Sequence, residues 1–176
     1  MEKLVGSVEI PQGMVAEVNG NFVKLKAGQK ENSREFKSIN TAIRLNNNKI
    51  DVYALDDRKK TNAEAGSIVS HIKNMVNGLE KEYEYKLEIV YSHFPLNVVV
   101  KGNLIEINNL GGAKHPKKVK IVGNTKVEVK GKEIIVRGTN KEHVGQTAAN
   151  MEMATKIKGK DIRIFHDGIY IVSKGN

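Results

Sequence analysis

The chain has 176 residues, no cysteine, no tryptophan and a formal net charge of +9. Without cysteine there is no disulfide framework and no thiolate metal site, and no stretch approaches the roughly 20 apolar residues of a membrane span. The charge is uneven: residues 1–80 carry 12 Lys+Arg against 10 Asp+Glu, whereas residues 81–176 carry 17 against 10, which suits the second half to a polyanion partner.

In chain order, the opening MEKLVGSVEIP has no apolar run, so no signal peptide is expected. Val8 to Pro11 predicts a short extended lead-in, kept out of a central strand by Pro11. Met14–Val18 and Phe22–Lys26 alternate around Asn19-Gly20, a strong hairpin signal. Ser33–Lys37 predicts a further strand, and Thr41–Leu45 and Lys49–Ala54 a second hairpin. After the polar loop 56–60, residues 61–79 predict a helix. Its stripe is Ile68, Val69, Ile72, Met75, Val76 and Leu79, and Gly78 is its expected stop. Tyr83–Tyr91 alternates again. Asn97–Lys101 and Leu104–Asn108 pair across Gly102-Asn103. Gly111 to Lys118 predicts a loop, followed by strands at Val119–Val122, Lys126–Lys130 and Glu133–Arg137.

A second helix is predicted over Gly138–Ile157, with Thr139 and Glu142 as its capping box and Val144, Ala148, Met151 and Ile157 as its stripe. Gly145 lies one turn in. A helix-interior glycine costs about 1 kcal/mol against alanine, so it serves either close packing on a sheet or close approach of a ligand backbone. Finally Ile162–Phe165 and Ile169–Val172 predict a hairpin across Asp167-Gly168, and residues 173–176 a fraying tail.

The two halves repeat one another. Ile43, Ile50 and Val52 precede the first helix as Val127, Ile134 and Val136 precede the second, and Gly20-Asn21-Phe22 mirrors Gly102-Asn103-Leu104. The expected fold class is α+β: two similar domains from an internal duplication, residues 1–80 and 81–176, each mainly antiparallel sheet with one packed α-helix. Segregated hairpins argue against a parallel doubly wound sheet.

Three stretches carry a family resemblance. Gly138 to Asn150, with its Val-Gly-Gln run followed by Ala-Ala, is similar to the start of the second helix in protein six of the large ribosomal subunit, the universal family. Arg163-x-Phe165-x-Asp167-Gly168-Ile169-Tyr170-Ile171, flanked by Lys160 and Lys174, resembles that family's archaeal and eukaryotic C-terminal signature. Lys158-Gly159-Lys160 matches a basic run of its bacterial branch, and Gly111 to Pro116 resembles its Gly-x-x-His-Pro loop. Met153 departs from the pattern, standing where the eukaryotic type has glutamine. The resemblance, of archaeal type, covers essentially the whole chain. It implies binding of large-subunit rRNA, chiefly by the C-terminal domain, near the sarcin–ricin region and the stalk base, beside neighbouring ribosomal proteins. It also implies a cytoplasmic ribosomal location, no catalysis and no cofactor.

Three groups are the candidate RNA contacts. Lys114, His115, Lys117, Lys118 and Lys120 read as phosphate contacts, or else as a solvated charged loop. Lys156, Lys158, Lys160 and Arg163 surround Gly159 after the second helix; they exceed what the helix dipole alone needs. Lys141, His143, Gln146 and Asn150 form the polar side of that helix, otherwise an ordinary wet face. Lys174 follows the C-terminal signature. The five histidines show no i, i+4 pair and the glycines no nucleotide-binding fingerprint, so neither a metal site nor a small-molecule substrate is expected. Two other readings fit the composition. One is a non-ribosomal RNA-binding or protein-interaction module, the other a small enzyme acting on an anion, for which no constellation of catalytic groups is visible.

Overall fold

The computed structural model describes residues 2–175, and the chain divides into two compact units between Lys81 and Glu82. The first unit contains β1 (Lys3–Glu9), β2 (Met14–Asn19), β3 (Phe22–Ala27), β4 (Lys30–Glu35), β5 (Thr41–Asn46), β6 (Lys49–Ala54) and α1 (Lys59–Glu80). Two antiparallel sheets form, in the orders β1-β6-β5 and β2-β3-β4. Alternation along β6 turns Ile50, Val52 and Ala54 inward, where all three are fully buried. They meet the α1 stripe of Ala65, Ile68, Val69, Ile72, Met75, Val76 and Leu79 in one core. Each large side chain buried this way is worth roughly 1.5–3 kcal/mol against exposure. Gly6, beside a bulge in β1, lets the helix come close: a Cβ there would lie 3.1 Å from Val69.

The second unit contains β7 (Tyr83–Val90), β8 (Asn97–Lys101), β9 (Leu104–Asn108), β10 (Lys117–Lys120), β11 (Lys126–Lys130), β12 (Glu133–Gly138), α2 (Lys141–Ala154) and β13 (Gly168–Gly175). Its antiparallel sheets run β10-β9-β8 and β11-β12-β7-β13. The core is built on Leu87, Ile105, Ile107, Ile134, Val136 and Ile169, covered by Val144, Ala148 and Met151 of α2. Both units thus follow one plan: a strand, a three-stranded meander, a hairpin and a helix. Among the described residues, β13 has no counterpart in the first unit.

Several boundaries differ from the sequence expectations. The α1 helix runs through Gly78, which is buried on its core face. The stop is Lys81, extended in backbone, whose N–H donates to the Asn77 carbonyl at 2.8 Å. The cap of α2 is Asn140 rather than Thr139: its Oδ1 accepts from the N–H groups of Glu142 and His143 at 3.0 and 3.3 Å. The helix ends at Ala154, so Ile157 meets the core from beyond it. The third strand is shifted to Lys30–Glu35, and β10 begins at Lys117, so Lys117 and Lys118 lie in a strand rather than in the loop.

The hairpin expected across Asp167-Gly168 does not form. The N–H groups of Ile164 and Phe165 both donate to the Asp161 carbonyl at 3.1 and 2.8 Å, which makes a turn. The following strand pairs with β7 instead, burying Ile169 against Leu87 and Ile89. Ser173, Lys174 and Gly175 pair with Lys86, Tyr85 and Glu84, so this end does not fray.

Candidate nucleic-acid interface

The basic loop is built on left-handed backbone at Asn109, Gly111 and Gly112 (φ 62°, 58° and 78°). It is tied down by the Asn109 amide donating to the Pro95 carbonyl at 2.9 Å and by the Ala113 N–H donating to Leu110 at 3.1 Å. Lys114 and His115 stand exposed on it. The chain then enters β10, an edge strand. Val119 is buried, so Lys118 and Lys120 project from the opposite face. Lys118 stands across from Glu106 and Lys120 across from Leu104. The Lys101 ammonium, 2.8 Å away, hydrogen-bonds Glu106 and holds its carboxyl below the usual range, with the Lys118 charge a lesser cause.

Beyond α2, Lys156, Lys158, Gly159, Lys160 and Arg163 are all exposed, with Gly159 in left-handed backbone (φ 78°). Lys160 Nζ sits 4.3 Å from the centre of the Phe165 ring, whose plane stacks on His93 at 4.5 Å. The same ring faces the basic loop: a Cβ at Gly111 would lie 3.9 Å from Phe165, and one at Gly112 would lie 3.2 Å from Phe94. The fold therefore makes the segment before β10 and the segment after α2 neighbours, joining two of the three candidate groups. Arg163 has Asp161 at 3.7 Å, but the pair is largely exposed and holds little energy.

The third group lies toward the far end of α2, about 20 Å away for a helix of this length. Lys141 Nζ is 5.7 Å from the Tyr83 ring centre. His143 is half-buried, and its ring lies hard against Gly123, where a Cβ would clash with Nδ1. Gln146 and Asn150 pair with each other, Nε2 to Oδ1 at 2.7 Å. Gly145 faces the Tyr85 hydroxyl, yet a Cβ would stand 3.6 Å from it, an ordinary contact. Sheet packing therefore does not require glycine here. Lys174 is paired opposite Tyr85, so it emerges beside this stretch.

Sequence reasoning missed the support behind the post-helix segment. Asp167 Oδ1 accepts from the Ser92 N–H at 3.0 Å and the Ser92 hydroxyl at 3.2 Å, with His93 Nδ1 at 3.4 Å. Burial pushes its carboxyl up, but the donors from Ser92 and His93 outweigh burial and hold it below the usual range. These partners lie some 75 residues apart, and no local signal marks them.

Among the described residues no group of His, Asp or Glu could hold a metal ion, and no helix is long and apolar enough to cross a membrane. Two like α+β units, the second presenting clustered exposed cations on an ordered surface, define a duplicated polyanion-binding protein. Comparison with known proteins names it further. The family model for ribosomal protein L6 matches residues 10–82 and 94–168, one match in each unit. The chain is 48% identical to the large ribosomal subunit protein uL6 of Methanococcus vannielii, over 95% of this chain and 92% of that one. It is 45% identical to the uL6 proteins of Methanobrevibacter smithii and Archaeoglobus fulgidus, over 95% of this chain and 94% and 88% of theirs. The chain belongs to the ribosomal protein L6 family and is of archaeal type; it is a structural component of the ribosome, not an enzyme.

Proposed function

We propose that the chain is a structural constituent of the large ribosomal subunit in the cytoplasm, binding folded rRNA chiefly through residues 81–176. The contact region we assign to it is the rRNA around the sarcin–ricin region and the stalk base, with other ribosomal proteins as neighbours. The observation that carries this reading is that Gly111, at the base of the loop bearing Lys114 and His115, lies against Phe165, over whose ring Lys160 sits. Lysines on a rigid strand edge and around a left-handed glycine can each neutralise a phosphate and release its counterion. Aromatic residues are 5% of the chain, too few for a continuous stacking platform, so phosphate and shape recognition of folded RNA dominates.

The test is binding of the full chain to a large-subunit rRNA fragment containing the sarcin–ricin region, across a salt series. Affinity is expected to fall steeply with salt, and Lys117→Ala and Lys158→Ala are each expected to reduce the slope by about one. Binding no tighter than to unrelated RNA of the same length would overturn the reading.

A further inference from the structure

Between the end of α2 and the start of β13 lies a cavity of about 320 Å³, within the range of small-ligand clefts. We propose that it receives one base turned out of the bound RNA, while the cations around it hold the flanking phosphates. This rests on the RNA-binding reading above and adds to it a base-stacking pocket.

The walls suit a flat aromatic ligand. His166 and Tyr170 line the cavity, and their rings stack at 4.5 Å with 12° between planes. A base laid on either ring continues that stack, and base–aromatic stacking holds whatever the sequence. The rim is apolar yet wet: Met153 and Ile162 are 71% and 63% exposed. Large apolar side chains held in water beside a dense cationic segment are explained if a base covers them.

The polar groups add an acceptor. Glu152 and Asp167 also line the cavity. Asp167 is almost wholly buried, and its Oδ2 has no hydrogen-bond partner among the described residues. A buried acceptor left unpaired is costly. The Asp167 Oδ1 is already taken by Ser92, with His93 beside it, so Asp167 offers one acceptor, which a single N–H on the edge of a base can meet. The Tyr170 hydroxyl is pushed up by burial and then by the Asp167 and Glu152 charges, so it stays protonated. Charge complementarity settles the occupant. Lys156 lines the cavity, and Lys158, Lys160 and Arg163 follow within eight residues; a stacked base brings phosphates to these cations, and an apolar peptide would not.

Two arms test the pocket on the full chain. In the first, guanosine monophosphate or ribose 5-phosphate, which lacks the base, is titrated while the ring resonances of His166 and Tyr170 are followed by NMR. Guanosine monophosphate is expected to shift both, and ribose 5-phosphate neither; equal shifts or none would overturn the proposal. In the second, Ile162→Ser and Tyr170→Leu are measured against the rRNA fragment. Each is expected to lose about tenfold in affinity at fixed salt with the salt slope unchanged, the mark of a lost stacking contact rather than a lost phosphate contact. Ile162 is exposed, so its variant should melt as wild type does, which separates base loss from unfolding. Wild-type affinity in both variants would refute the pocket. If the wild type shows no preference for the rRNA fragment, the RNA-binding reading fails, and the nucleotide arm still decides the pocket by itself.

Discussion

At the scale of single residues, the best-defined ionisable group of the first unit is Asp51, buried on β6. The Ser7 hydroxyl donates to its Oδ1 and the Asn46 amide to its Oδ2, both at 2.5 Å. These donors, Ser7 first, hold its carboxyl below the usual range. A carboxyl lowered on folding stabilises the protein above its unfolded value, near about 4, and that stability drains away as pH falls through the folded value. Asp51→Asn is therefore expected to lose less stability than wild type between about pH 5 and pH 2. Urea midpoints across that range check it, and parallel acid slopes would contradict it. Nothing in the sequence singles Asp51 out. Ser7 is brought opposite it only by the register of β1 on β6, a pairing between segments 44 residues apart. The exposed lysines are a different case. Long charged side chains stay in water whatever the fold, so Lys114, Lys117, Lys118, Lys120, Lys156, Lys158 and Lys160 are as exposed as composition suggested. That Gly111 meets Phe165 is a tertiary fact with no local trace.

At the scale of elements, α2 depends on its cap. Asn140→Ala removes the acceptor for two backbone N–H groups and is expected to cost about 1 kcal/mol, read as a lowered unfolding midpoint. An unchanged midpoint would hand the capping role to Thr139. The helical stripe of α2 was legible because Val144, Ala148 and Met151 recur at the helical period and are fully buried. The cap was ambiguous by one residue, since Thr139 and Asn140 are both good caps and Glu142 completes a box with only one of them. The segment after α2 was misleading for a different reason. Ile162 and Ile164 alternate as a strand would, yet both lie in solvent, because β13 found its partner in β7 rather than in the residues just before it. Alternation reports a residue's neighbours in sequence, and pairing is decided by which sheet edge is open.

At the scale of the whole molecule, charge separates the two units, and the salt dependence of binding should separate them too. Replacing Lys37, Lys59 and Lys73 of the first unit with alanine is expected to leave the salt slope for the rRNA fragment nearly unchanged. Replacing Lys117, Lys118 and Lys158 of the second should reduce it by about three. Equal losses would place the first unit on the RNA as well. The duplication itself was readable, since the same hairpin-and-helix pattern recurs along the chain, but the added strand was not. That strand also sets an order of events. In the first unit the most distant strand partners are Lys3 and Ala54, whereas in the second Gly175 must find Glu84. Pairings between remote segments form slowly, because the intervening chain must be ordered before the contact rewards it. The second unit is therefore expected to be the slower to fold, read as the slower of two refolding phases. The arrival of β13 also brings the Ile169 N–H to the Thr155 hydroxyl at 2.9 Å and fixes the end of α2. The basic segment beyond that helix is thus anchored at both ends by one strand, which is itself held in place by β7, a partner far from it in sequence.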